Sequence, residues 1–75
     1  MPKFPSLSGE DTARALEKLG FVRIRQKGSH LILRKSLNDF IVGCVVPMHR
    51  ELAQGTLRSI LRQGQISQEV FMSVL

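Results

Sequence analysis

The spacing of apolar residues changes at Gly20, and this change of period constrains the fold more than any other feature of the chain. Before it, Ala13, Leu16 and Leu19 recur at the spacing of one face of an amphipathic helix. After it, the segments FVRIRQK and HLILRK alternate between apolar and polar residues, which is typical of half-buried strands. The sequence therefore predicts a helix over residues 9–19 followed by a β-hairpin.

Signals at both ends bound the predicted helix. Ser8 and Asp11 have the spacing of a capping box with Asp in place of Glu, and the acidic Glu10 and Asp11 suit the positive end of the helix dipole. Gly20 stands where a left-handed residue commonly ends a helix.

Gly28 and Ser29 form the predicted turn of the hairpin, because glycine readily adopts the positive φ that tight hairpins require. The predicted register pairs Lys27 with His30, and it places Arg25 opposite Ile32 and Arg23 opposite Arg34. Directly opposed residues project from the same face of a sheet, so these six side chains are expected to share one face. The residues predicted to point the other way, into the core, are Val22, Ile24, Leu31 and Leu33.

The second half of the chain supplies another strand and another helix. A turn at SLND, residues 36–39, leads into the apolar run FIVGCVVP, which is predicted to be a strand covered on both faces or central in the sheet. Thr56 is the predicted cap of a helix over LRSILRQ that Gly64 closes, with Leu57, Ile60 and Leu61 inward and Arg58 and Arg62 outward, and Ser67 could cap a last short turn. The predicted class is α+β, a single domain over residues 1–75 of order α-β-β-β-α, with a three-stranded antiparallel sheet and both main helices on one side.

Composition narrows the functions that such a small domain could perform. With 75 residues there is no room for separate cofactor and substrate domains, and the only cysteine, Cys44, and two histidines make a poor metal set, so we expect neither a metal nor a cofactor. The net charge of +5 and the pI of about 10.4 favour a polyanionic partner, with nucleic acid the leading candidate. The longest uncharged stretch, residues 40–49, is about half of what a membrane span needs, and the N-terminus lacks the apolar core of a signal peptide, so the expected location is the cytoplasm.

His30 is the candidate catalytic residue because it lies on the predicted basic face. RNA carries its own nucleophile, the 2′-hydroxyl, so cleavage needs a base, an acid for the leaving oxygen and positive charge around the transition state, and histidine serves in either proton role near neutral pH. Arg25, Lys27 and Arg23 could supply the charge, and Gly28 and Ser29 could offer backbone N–H groups to a phosphate. The alternative, an ordinary hairpin turn followed by an exposed strand histidine, remains open at this point.

Two further positions are secondary candidates. His49 follows the third strand and could act as a second acid or base, although a connector residue bonded to backbone is the favoured interpretation. Arg58 and Arg62 are four residues apart on the second helix and could hold phosphate or simply form a solvated surface.

Two motifs give the chain a resemblance to a known family. RQKGSH, and VVPMHRELAQGTLRSILRQ after the third strand, resemble the HicA (YcfA-like) toxins of type II toxin–antitoxin modules, over about Ser8 to Phe71. The segment GQIS after the second helix departs from the alanine-glycine pair that is more usual in the family.

The resemblance implies a fold similar to the double-stranded-RNA-binding domain and a ribosome-independent mRNA interferase whose active histidine is His30. It also implies a HicB antitoxin that covers the active face, over Arg23, Arg25, Lys27 and His30. A non-catalytic binder of structured RNA and an inactive interaction module are the alternatives.

Overall fold

A computed structural model describes residues 3–75, so Met1 and Pro2 of the predicted domain lie outside the described residues. The order of elements is α-β-β-β-α with a short final helix, as predicted. The helices and strands are α1 (Gly9–Lys18), β1 (Val22–Lys27), β2 (His30–Leu37), β3 (Phe40–Pro47), α2 (Gln54–Gly64) and α3 (Gln68–Met72). In this described part, no helix has the length and hydropathy needed to cross a bilayer.

The capping box predicted for α1 is confirmed. The backbone N–H of Asp11 donates to Ser8 Oγ (2.9 Å), and the backbone N–H of Ser8 donates to Asp11 Oδ2 (3.0 Å). The helix ends at Lys18, with Leu19 as the C-cap, and Gly20 follows with φ at 99°, so the predicted boundary is one residue too long.

The sheet is three-stranded and antiparallel in the order β1-β2-β3, so β2 is central. Its two turns are tight, at Gly28-Ser29 and at Asn38-Asp39. The predicted SLND turn is therefore too long, because Ser36 and Leu37 still belong to β2 and pair with β3.

A β-bulge at Ile24 changes the predicted register of the hairpin. Lys27 pairs with His30 and Arg25 with Ile32, as predicted, but Arg23 pairs with Leu33 and Val22 with Arg34. An extra residue in one strand moves every residue beyond it to the opposite face. The prediction that Val22 and Ile24 enter the core is therefore wrong: they are 60% and 47% exposed.

The prediction that β3 is central or covered on both faces is also wrong. β3 is an edge strand whose burial alternates: Val42, Cys44 and Val46 are buried, while Ile41 and Val45 are 65% and 40% exposed. One face of the sheet is thus open to solvent, and we call it the open face. The side chains that register places there include Val22, Arg25, Lys27, His30, Ile32, Arg34, Ile41 and Val45.

Both long helices pack on the other side of the sheet, the covered face, as predicted. The core joins Ala13 and Leu16 of α1, and Leu57, Ile60 and Leu61 of α2, to the buried side chains of β2 and β3. The strand residues in this core are Leu31, Leu33, Val42, Cys44 and Val46. Burying one face of each strand against helices is what drives such two-layer folds together.

The start of α2 differs from the prediction. The helix begins at Gln54 with Ala53 as its N-cap and no side-chain cap, so Thr56 lies inside the first turn and does not cap it. It ends at Gly64, and Gln65 is the left-handed C-cap with φ at 57°. Ser67 caps α3 as predicted, since the backbone N–H of Val70 donates to Ser67 Oγ (3.1 Å).

Candidate active site

The Gly28-Ser29 turn places His30 at one end of the open face. Gly28 has φ at 60°, and an added Cβ would meet no atom within 4 Å, so the backbone conformation alone favours glycine. The side chain of Gln26 donates from Nε2 to the carbonyl oxygen of Gly28 (3.0 Å) and braces the turn. His30 follows as the first residue of β2, and its side chain is exposed.

His30 borders an open depression of about 460 Å³, which we call the His30 depression. Its lining residues are Lys27, Gly28, His30, Ile32 and Val45. The lining contains one cationic side chain and no carboxylate, and Arg25 lies on the same face opposite Ile32. This end of the sheet therefore presents positive charge to an anionic ligand around an accessible imidazole.

Arg23 does not belong to this surface, so the prediction that it shares the basic face with His30 is wrong. The bulge turns its side chain to the covered face, where its guanidinium donates to Glu10 (Nη1 at 3.1 Å and Nη2 at 2.6 Å) and to Glu17 (3.2 Å) of α1. These bonds with Arg23 hold the pKa of the Glu10 carboxyl below its ordinary value. Arg23 thus ties β1 to α1.

The second sequence motif comes to lie beside the first. β2 and β3 pair His30 with Pro47, and the backbone N–H of Met48 donates to the carbonyl oxygen of Ser29 (2.6 Å). The carbonyl oxygen of His49 accepts from the N–H of Gly9 (2.9 Å), while its side chain is exposed. His49 therefore lies in the segment after β3, and its exposed imidazole is one residue beyond the Met48 N–H that bonds to the turn.

Gly9 allows this close approach. A Cβ at Gly9 would meet the carbonyl oxygen of Pro47 and lie 2.7 Å from the Cα of Met48. The start of α1 thus presses directly on the segment that follows β3. The sequence did not predict this close packing, because it identified Gly9 only as the first residue of a helix.

The structure does not bring the arginines of α2 to the open face. Arg58 and Arg62 are exposed, as predicted, on a helix that packs against the covered face. Gln63 of the same helix accepts the backbone N–H of Val45 at the free edge of β3 (Oε1 to N, 3.0 Å). A phosphate contact by Arg58 would therefore belong to a different surface from that of His30.

A second depression on the open face was also missed from the sequence. This distal depression, of about 560 Å³, lies at the other end of the hairpin from the turn. Its lining includes Val22, Ile24, Arg34, Lys35, Ser36 and Ile41. The predicted register hid it, because without the bulge Val22 and Ile24 would point into the core.

Cys44 has no place in the site. Its thiol is buried in the core, and that burial raises its pKa to about 11. Over residues 3–75, no group of three or more His, Cys, Asp or Glu side chains is arranged to hold a metal ion.

Comparison with known proteins identifies one family. The sequence model of the HicA toxin of bacterial toxin–antitoxin systems matches residues 9–66, which include the Gly28-Ser29 turn, the segment after β3 and all of α2. A search of curated proteins finds no match.

Proposed function

This chain belongs to the HicA toxin family of bacterial toxin–antitoxin systems, and from that premise we propose that it is an endoribonuclease that cleaves mRNA in the cytoplasm with His30 as general acid or base. The family also implies an antitoxin as its partner. The observation that carries the proposal is the exposed imidazole of His30 in a depression that holds Lys27 and lacks a carboxylate.

The proposed chemistry uses the nucleophile that RNA supplies. His30 takes the proton of a 2′-hydroxyl, the oxygen attacks the adjacent phosphorus, and the bond to the 5′-oxygen breaks after that oxygen receives a proton. The products are a 2′,3′-cyclic phosphate and a free 5′-hydroxyl. No step calls for a metal ion, because the nucleophile belongs to the substrate and histidine ordinarily titrates close to physiological pH.

Arg25 and Lys27 are the proposed phosphate-binding side chains. Both are exposed, both share the open face with His30, and neither forms an ion pair with a described residue. Their charge would stabilise the extra negative charge of the pentacoordinate transition state. The backbone N–H groups at Gly28 and Ser29 are proposed to contact the same phosphate.

The group that protonates the leaving oxygen is proposed to come from the neighbourhood of the turn. Lys27 lines the His30 depression, and His49 lies one residue beyond the Met48 N–H that bonds to Ser29. Water could also serve, and in that case neither side chain would be essential.

The test is cleavage of a defined, end-labelled RNA by purified protein in the presence of EDTA. We expect the wild type to give cyclic phosphate ends and His30→Ala to cleave about a hundredfold or more slowly, which is the usual contribution of a general acid or base. Equal cleavage by both proteins would remove His30 from the chemistry. RNA that is retained but left intact would favour the non-catalytic binder, and a protein that neither binds nor cleaves RNA would favour the inactive interaction module.

A matched pair of variants tests the phosphate contacts. Arg25→Ala and Arg62→Ala remove the same charge, but Arg25 lies on the open face and Arg62 on α2. We expect Arg25→Ala to weaken RNA binding and to reduce its dependence on salt, because a phosphate contact releases counterions. Equal losses in the two variants would mean that only the overall charge matters.

A further inference from the structure

The aliphatic end of the open face is an exposed feature that the proposed chemistry does not use. Val22, Ile24 and Ile41 are 60%, 47% and 65% exposed and line the distal depression together. No described residue covers them. Branched aliphatic side chains gathered in one concave patch are typical of a surface that a partner buries.

The charges around this patch decide what kind of partner it fits. Arg34 and Lys35 lie in the lining, no acidic residue does, and Arg34 shares the open face with Arg25 and Lys27. A second copy laid face to face would oppose like charges. The lining offers RNA positive charge but no aromatic ring for base stacking. Contact with a phosphate backbone would not bury the aliphatic side chains in apolar surroundings.

We propose that the distal depression is the anchoring site of the antitoxin, which inserts branched aliphatic side chains between Val22, Ile24 and Ile41 and places a carboxylate opposite Arg34. The proposal rests on the toxin role proposed above, but not on His30 being the catalytic group. The apolar patch supplies the affinity, and a partner anchored there extends along the open face over Ile32 and Val45 to block the His30 depression. Affinity for the antitoxin and activity on RNA thus reside at opposite ends of one sheet face.

The experiment measures binding of the purified protein to the product of the gene that adjoins its own. Ile41→Thr and Val22→Thr keep a β-branched side chain suited to a strand while they remove apolar surface. Val70→Thr is the matched control, because Val70 is 47% exposed but lies on α3, away from the open face. Circular dichroism and thermal unfolding verify that all three variants are folded.

We expect Ile41→Thr to weaken binding about tenfold and the double variant about a hundredfold, as expected for aliphatic groups that become buried in an interface. Val70→Thr should bind as the wild type does, and RNA cleavage by Ile41→Thr should be unchanged. His30→Ala should bind the adjoining gene product with undiminished affinity.

Three results would overturn the proposal. The first is full affinity in the double variant, and the second is a wild type that does not bind the adjoining product. The third is a loss of RNA cleavage or of self-association in Ile41→Thr with antitoxin binding intact, which would assign the patch to RNA or to a second copy. Failure of the wild type to cleave RNA would contradict the endoribonuclease proposal alone, since binding is measured separately.

Discussion

Replacing Gly9 by alanine should destabilise the protein strongly, although alanine is the better helix former. Gly9 is the first residue of α1 and lacks a positive φ, so its backbone conformation suits alanine. The obstacle is the added Cβ, which would meet the carbonyl oxygen of Pro47 and lie 2.7 Å from the Cα of Met48. Both neighbours are backbone atoms, so relief requires α1 to move away from the end of β3.

The expected cost combines two effects. Overpacking costs about 1–3 kcal/mol, and loss of the hydrogen bond from Gly9 to His49 adds about 1 kcal/mol. The total of about 2–4 kcal/mol compares with a net stability of about 4–11 kcal/mol for a chain of this length. With a urea m-value of about 1 kcal/mol/M, the unfolding midpoint should fall by about 2 M or more.

Gly55→Ala is the matched control for this prediction. Gly55 also lies in the first turn of a helix without a positive φ, but there the nearest atom to an added Cβ is Arg58 Nη2 at 4.0 Å. Removing this glycine should raise stability by up to about 1 kcal/mol through the entropy of the unfolded chain. A Gly9→Ala protein as stable as the wild type in urea would refute the claim that α1 abuts the end of β3.

Two further predictions concern the hairpin. Arg23→Gln should flatten the loss of stability on acidification: Arg23 lowers the pKa of Glu10, so the contribution of this pair is present above the ordinary carboxylate pKa and disappears as the pH falls through the lowered value. In urea titrations at about pH 6 and about pH 3 the wild type should lose more free energy of unfolding than Arg23→Gln, and equal losses would contradict the ion pair. Gly28→Ala should lower Tm by about 4–8 °C, because φ at 60° costs alanine about 1 kcal/mol while no atom obstructs its Cβ, and Gly28→Asn should lower it less. An unchanged Tm in Gly28→Ala would mean that the turn relaxes at no cost.

The order of elements could be predicted because local signals and apolar spacing agree along most of the chain. Ser8, Gly20 and Ser67 each lie where the structure has a helix end, and the pairing of Lys27 with His30 follows from the turn. The start of α2 was predicted wrongly, because its N-cap, Ala53, makes no side-chain hydrogen bond and therefore leaves no signal in the sequence.

The two failures in the sheet have one result in common, which is that apolar residues predicted to be buried are exposed. The continuous apolar run of β3 suggested a strand with two covered faces, but Ile41 and Val45 project from an uncovered one. Similarly, Val22 and Ile24 alternate with polar residues as core positions would. Periodicity identifies which residues share a face only in an unbroken strand, and it indicates neither a bulge nor whether the same chain covers that face.

The bulge at Ile24 accounts for how the open face is divided between charge and apolar surface. In an unbroken register Arg23 would lie beside Arg34 on the open face, and Val22 would be in the core. The extra residue instead commits Arg23 to the carboxylates of α1 and brings Val22 opposite Arg34. Arg25 and Lys27, which form no ion pair with a described residue, therefore remain toward the turn, and Val22 joins the aliphatic side chains beside Arg34 at the far end. A single inserted residue in β1 thus separates the surface proposed to bind RNA from the surface proposed to bind the antitoxin. The same bulge directs Arg23 to the ion pairs that hold β1 against α1.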